Sequence, residues 1–175
     1  MRFDYDHYQL LNCEDRECLQ GESGRRIKRA ESAITDWEVL DTYVIDPRLR
    51  RGTFMAMLYL IATPEAISYC GDILERFGEL LPITLEGQPG YYLWNNTNQR
   101  SDLLDQKLCE YDSGRLAKVV FDPEKLTTPM IFCIPEYPKL NLVLTGLDDD
   151  EMDFYARYHQ HGLTGLTFKT LWAAQ

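Results

Sequence analysis

Apolar positions along this chain switch repeatedly between a period of two and a period near 3.6, the mark of strands interleaved with helices. Residues 1–10 set Phe3, Tyr5, His7 and Leu10 against Asp4 and Asp6, which predicts a half-buried strand. Residues 12–36 are polar, with Gly21, Ser23 and Gly24 followed by the basic run RRIKR at 25–29. They predict a long loop. Residues 37–45 are β-branched and apolar and predict a strand, closed by Asp46-Pro47. Residues 53–63, TFMAMLYLIAT, are apolar on both faces and predict a strand covered on both sides. Thr63, Pro64 and Glu65 then form a helix start. Ile67, Cys70, Ile73, Leu74 and Phe77 make one helical face, and Gly78 ends it. A hairpin follows over 80–96, turning at 87–90, with Pro82 placed at an edge or at a first pairing position.

Further on, Ser101 with Leu103, Leu104, Leu108 and Tyr111 predicts a short amphipathic helix. Strands are expected at 115–122, 130–134 and 141–145. Asp122-Pro123-Glu124 reads as a capped single turn, and Pro135, Pro138 and Asn141 as a loop. Asp148, Asp149 and Asp150 crowd a helix N-terminus, where the macrodipole favours negative charge. Met152, Tyr155 and Tyr158 supply that helix's apolar stripe, Gly162 its stop, and residues 163–172 a last strand. The stretches 58–86 and 141–171 share this order of parts. Thr63 and Thr145, and likewise Leu81 and Leu163, stand 82 residues apart. The two read as copies of one strand-helix-strand module. The fold class is α+β, with one or two mostly antiparallel or mixed sheets and two main helices. Residues 1–52 form an N-terminal strand and basic loop region, and 53–175 the main domain.

Composition sharpens this in two respects. Of the 175 residues 45% are hydrophobic, enough for a packed core. The net charge of −10 is uneven: 53–175 carry 9 Lys+Arg against 17 Asp+Glu. Such a surface disfavours nucleic acid and anionic membrane and attracts a basic partner. The opening MRFDYDHYQL lacks a signal-peptide pattern, and the five cysteines have no framework spacing. A reduced, cytoplasmic protein is expected.

Candidate chemistry is sparse. The DDDE run at 148–151 lacks the alternate spacing and glycine of a calcium loop and reads as a helix start. His159 and His161 are two apart and have no further ligands nearby for zinc. Cys13 and Cys18, separated by four acid-rich positions, read as surface thiols. No metal and no cofactor is expected, and no catalytic residue stands out. Binding residues are a different matter. Of Tyr91, Tyr92 and Trp94, one strand face is core and the other an aromatic anchor of the kind enriched at interfaces.

The order of pieces from about Leu60 onward resembles a family of bacterial immunity proteins from polymorphic toxin systems, once catalogued only as a domain of unknown function. The resemblance is carried by ISYCGDILERFG, LLPITLE, GYYLWNN, KVVFDPEKL, MIFCI and, above all, a helix followed by GLTGLTF. It implies a protein that binds and neutralises a cognate toxin and has no catalytic residues of its own. On side-chain chemistry, Asp148, Asp149, Asp150 and Glu151 are the candidates for steering a basic toxin. Trp94, Tyr155 and Tyr158 are the candidate anchors. Two alternatives are a small hydrolase in which His159 or His161 meets carboxylates in a deep pocket, and a regulatory module that docks through its basic 25–51 segment.

Overall fold

A computed structural model describes residues 1–13, 19–113, 115–147 and 150–171. Its first third contains β1 (Arg2–Phe3), β2 (Leu11–Cys13), α1 (Glu22–Lys28), β3 (Leu40–Val44), β4 (Phe54–Ala56) and β5 (Leu60–Ala62). The middle holds α2 (Pro64–Phe77), β6 (Glu79–Leu85), β7 (Gln88–Asn95), β8 (Glu110–Asp112) and β9 (Arg115–Lys118). The last part holds β10 (Met130–Ile134), β11 (Tyr137–Leu144), α3 (Phe154–Gln160) and β12 (Leu166–Thr167). The fold is α+β. A six-stranded mixed sheet runs in the order β2-β3-β6-β7-β5-β4, beside two-stranded pairs β1-β12, β8-β9 and β10-β11. Among the described residues no helix is long and apolar enough to cross a membrane.

The central sheet is covered on both faces, and the alternation of side chains decides which core each residue joins. Phe54, Ala56, Leu60, Ala62 and Trp94 face α2 and α3, while Met55, Ile61, Leu81, Ile83 and Leu93 face Leu19, Ile27 and Ala33. Both-sided coverage of 53–63 is therefore present, but the single strand is not. Met57 N donates to Tyr59 O at 3.0 Å, folding the stretch into the β4–β5 hairpin. Residues 1–52 supply two strands of this sheet as well as its cover.

The helix start at Thr63 matches its sequence signature. The Thr63 hydroxyl accepts from Ala66 N at 3.3 Å, and Pro64 occupies the first helical position. Gly78 acts by a different means than a left-handed stop. Its φ of −171° is open to any residue. A Cβ there would instead meet Asn95 O at 2.3 Å and Trp94 Nε1 at 2.7 Å, so the glycine lets α2 run directly into β6 against β7. The following hairpin turns at Glu86 and Gly87, both at positive φ, as a two-residue loop between right-twisted strands requires. Pro82 sits in an inner strand, and β3 pairs with β6 only from Ile83 onward. That spares Pro82 a bond to β3.

Several expected elements differ. Residues 22–28 are the helix α1, not loop, because burial of Ile27 under the sheet overrides the glycine-rich composition. Residues 101–111 form turns and β8 rather than an amphipathic helix. Leu103 and Leu104 enter a third core with Leu116, Phe121 and Phe132, while Leu108 and Tyr111 point outward. Pro138 and Asn141 lie within β11, not in a loop, and the closing strand shortens to Leu166–Thr167. The two strand-helix-strand stretches share their order of parts but not their pairing. β5 and β6 flank β7 in one sheet, whereas β11 and β12 lie in different ones.

The GLTGLTF stretch is held by close backbone contact. Phe54 N donates to Thr164 O at 2.9 Å, and a Cβ on Gly165 (φ +101°) would lie 2.0 Å from Phe54 O. Gly87, also at positive φ (+76°), has nothing within 4 Å. Urea unfolding is expected to separate the two. Gly87→Ala should cost roughly 1–2 kcal/mol, from backbone strain alone. Gly165→Ala should cost about 3 kcal/mol or more, because strain and overpacking combine.

Candidate functional site

The helices α2 and α3 lie against one another on the outer side of the sheet, and their exposed residues, with the turn before α3, form the surface that carries two of the expected site residues, Glu151 and Tyr155. Arg157 organises it. Its guanidinium donates to Asp72 Oδ1 at 2.5 Å and to Tyr69 O at 3.2 Å, and also to the Glu151 carbonyl. Tyr69 stacks on His161 with centroids 4.3 Å apart. Glu65, one turn before Tyr69, and Glu75, one turn after Asp72, are exposed. Tyr69 (39% exposed) thus stands among carboxylates.

At the other end of α3, Tyr155 (37% exposed) meets Phe168 edge-on at 5.0 Å and His159 at 4.3 Å. Tyr155 and Phe168 stand at the lip of an apolar cleft of about 320 Å³, lined further by Leu126, Phe132, Leu142 and Leu144. An aromatic ring beside a small apolar recess is the arrangement that concentrates binding energy in protein interfaces.

The expected site residues separate sharply. Tyr155 and Glu151 are exposed on this surface. Trp94 is 2% exposed, with its Nε1 donating to Leu74 O at 2.8 Å inside the core. Tyr158 is 4% exposed; its hydroxyl donates to Leu166 O at 3.2 Å and accepts from Leu166 N at 3.1 Å. Both are corrected from anchors to core residues, since a ring with its polar atom satisfied inside the protein has no reason to turn outward. Asp148 and Asp149 lie outside the described residues. Asp150 and Glu151 belong to a single 3₁₀ turn, Asp150–Met152, ahead of α3.

The true cap of α3 is a residue the sequence reading passed over. Asp153 is 1% exposed and accepts from Ala156 N at 3.0 Å, from the Thr145 hydroxyl at 2.6 Å and from Gly146 N at 3.0 Å. One carboxylate therefore fixes both the end of β11 and the start of α3. Its signal was present in the sequence, as an Asp just before an apolar stripe, but the richer acidic run upstream masked it.

Other candidate chemistry is accounted for by local partners. His159 and His161 are exposed and packed on aromatic rings, and neither lines this cleft or a second, wider one beside β11. The basic run at 25–29 is folded in: Arg25 pairs with Glu22 at 3.0 Å and Arg26 with Asp36 at 3.3 Å. In the second basic cluster Arg48 grips Asp46 at 2.8 Å, and this hydrogen bonding holds the carboxyl at about 2. Cys13 is buried and disulfide-bonded, not a surface thiol, while Cys18 lies outside the described residues. Burial pushes the Cys70 thiol up to about 12 and Cys133 up to about 11. Among the described residues no group of three or more metal-ligating side chains occurs.

No known family model matches the chain, and no curated protein matches it.

Two outcomes follow from this geometry. Asp153→Ala is expected to cost about 2–3 kcal/mol, since cap loss alone costs roughly 0.5–2 and two further donors are left unpaired. Urea unfolding measures this, and hydrogen exchange should show α3 opening before the sheet. Iodoacetamide labelling of the native protein, followed by mass spectrometry, should modify half-buried Cys109 well ahead of Cys70 and Cys133.

Proposed function

We propose that this protein is an immunity protein, which binds a cognate bacterial toxin by protein–protein contact and neutralises it by covering its active site or trapping an inactive form. The observation that carries this reading is the α2–α3 surface. Two exposed tyrosines, Tyr69 and Tyr155, share it with the carboxylates of Glu65, Asp72, Glu75 and Glu151, and Tyr155 also lines an apolar recess. Carboxylates speed the approach of a basic toxin surface, and the rings and recess supply short-range contact. The overall charge of −10 favours the same class of partner. The resemblance of the helix-GLTGLTF segment to immunity proteins points the same way, and the structure explains that motif as packing against β4.

Co-expression with the toxin encoded beside its gene tests the reading, with survival and co-purification as readouts. Rescue and a stable complex are expected. Tyr155→Ala should weaken the complex about 30-fold or more, the cost of truncating a central aromatic anchor. Glu65→Lys with Glu75→Lys should lower the association rate about tenfold at low salt and much less at high salt, as rim charges do. Failure of the wild-type protein to bind or rescue against that toxin would remove the proposal.

A further inference from the structure

The second cleft, of about 580 Å³, lies between the β4–β5 turn, the first residues of the chain and β11. Its floor is apolar: Phe3, Ala56, Leu60 and Trp94. One wall consists of six consecutive residues, 136–141. Side chains of a strand alternate between faces, so a wall of consecutive residues is a strand presenting its backbone. The register explains why. Phe132 pairs with Leu142 and Ile134 with Tyr137, so four residues of β11 stand where β10 has one. Residues 138–141 bulge out of the ladder toward the cleft. At one end Met1 N donates to Asn141 O at 2.9 Å.

The charge here runs against that of the chain. Arg2, Lys139 and the α-ammonium of Met1 line the cleft, and among the described residues Glu136 is its one carboxylate, on a protein of net charge −10. Lys139 Nζ lies 5.6 Å from the Tyr59 ring centroid. The Tyr59 hydroxyl is shut off from solvent and has no hydrogen-bond partner among the described residues. Native structures rarely tolerate such an orphan. Two cationic side chains, the α-ammonium of Met1 and an unsatisfied phenol thus stand around one carboxylate, above an apolar floor.

We propose that this cleft binds a small organic acid, its carboxylate drawn to Lys139 and the Tyr59 hydroxyl and its aliphatic or aromatic body laid on Phe3 and Leu60. Lys139 is an exposed, flexible side chain whose ammonium lies over the Tyr59 ring, within reach of a carboxylate entering the cleft. The volume is in the range of small-ligand sites. The site shares Met1 with the recess at the α2–α3 surface, but it does not depend on toxin binding.

Titration of the ¹⁵N-labelled full chain with octanoate and with indole-3-acetate, against octanamide and indole-3-acetamide, tests this. At least one acid should shift amides of 58–60 and 136–141 with a Kd below about 1 mM, and its neutral partner should bind about tenfold more weakly. Lys139→Gln should lose about tenfold in acid affinity. Tyr59→Phe should lose several-fold in affinity while its Tm holds or rises, because it deletes a hydroxyl with no partner. Absence of shifts with both acids, equal affinity for acid and amide, or shifts confined to other regions would overturn the proposal.

Discussion

Three threonines tie the molecule together. The Thr53 carbonyl accepts from Thr63 N at 3.3 Å and from the Thr63 hydroxyl at 2.7 Å, while the same Thr63 hydroxyl caps α2. On its other side, Thr53 N donates to the Thr164 hydroxyl at 3.1 Å, and Thr164 N donates to the Thr53 hydroxyl at 3.3 Å. The residue entering β4 is thus bonded both to the start of α2 and to the segment after α3. Thr53 and Thr63 are buried, so each of these bonds removes a desolvation cost that would otherwise count against folding. Gly165 belongs to this clasp, because no side chain fits where its Cα passes Phe54 O.

From the clasp outward, position is handed on by rigid parts. Thr63 sets the axis of α2, and Asp153 sets that of α3 by binding Thr145 and Gly146 at the end of β11. Arg157 then joins the two helices through Asp72. That bridge is partly exposed, so it orients more than it stabilises. The result is that Tyr69 and Tyr155 sit on packed helices rather than on loops, and their rings are steadied by His161, His159 and Phe168. A surface held this way would lose little side-chain entropy on meeting a partner.

How much of this was legible in the sequence depended on the range of the physics involved. The Thr63-Pro64 start, the Gly162 stop at positive φ and the Asp122-Pro123 turn are local devices, and all three stand where the sequence places them. What failed was set by distant partners. Nothing local says that Ile27 will be covered by the sheet, or that Leu103 and Leu104 will be claimed by Phe121 and Phe132. Trp94 and Tyr158 looked available because aromatic rings are equally at home in cores and at interfaces. Only the acceptors of Trp94 Nε1 and Tyr158 Oη, supplied by Leu74 and Leu166, decide between the two. The bulge in β11 has no sequence mark beyond Pro138, and with it the cleft wall was invisible.

Charge is also segregated by function of place rather than spread evenly. The α2–α3 surface gathers carboxylates around rings, while the cleft beside β11 gathers cations around an orphaned phenol. An acidic chain gains solubility from its net charge wherever the acids lie. Solubility alone therefore gives no reason for Lys139 and Arg2 to line the same concavity, nor for Tyr59 to leave its hydroxyl unsatisfied beside them. Folding gives no reason either, since a phenylalanine at Tyr59 would fill the same space without a stranded polar atom. A hydroxyl that costs stability and meets no hydrogen-bond partner among the described residues is best understood as being completed from outside the chain.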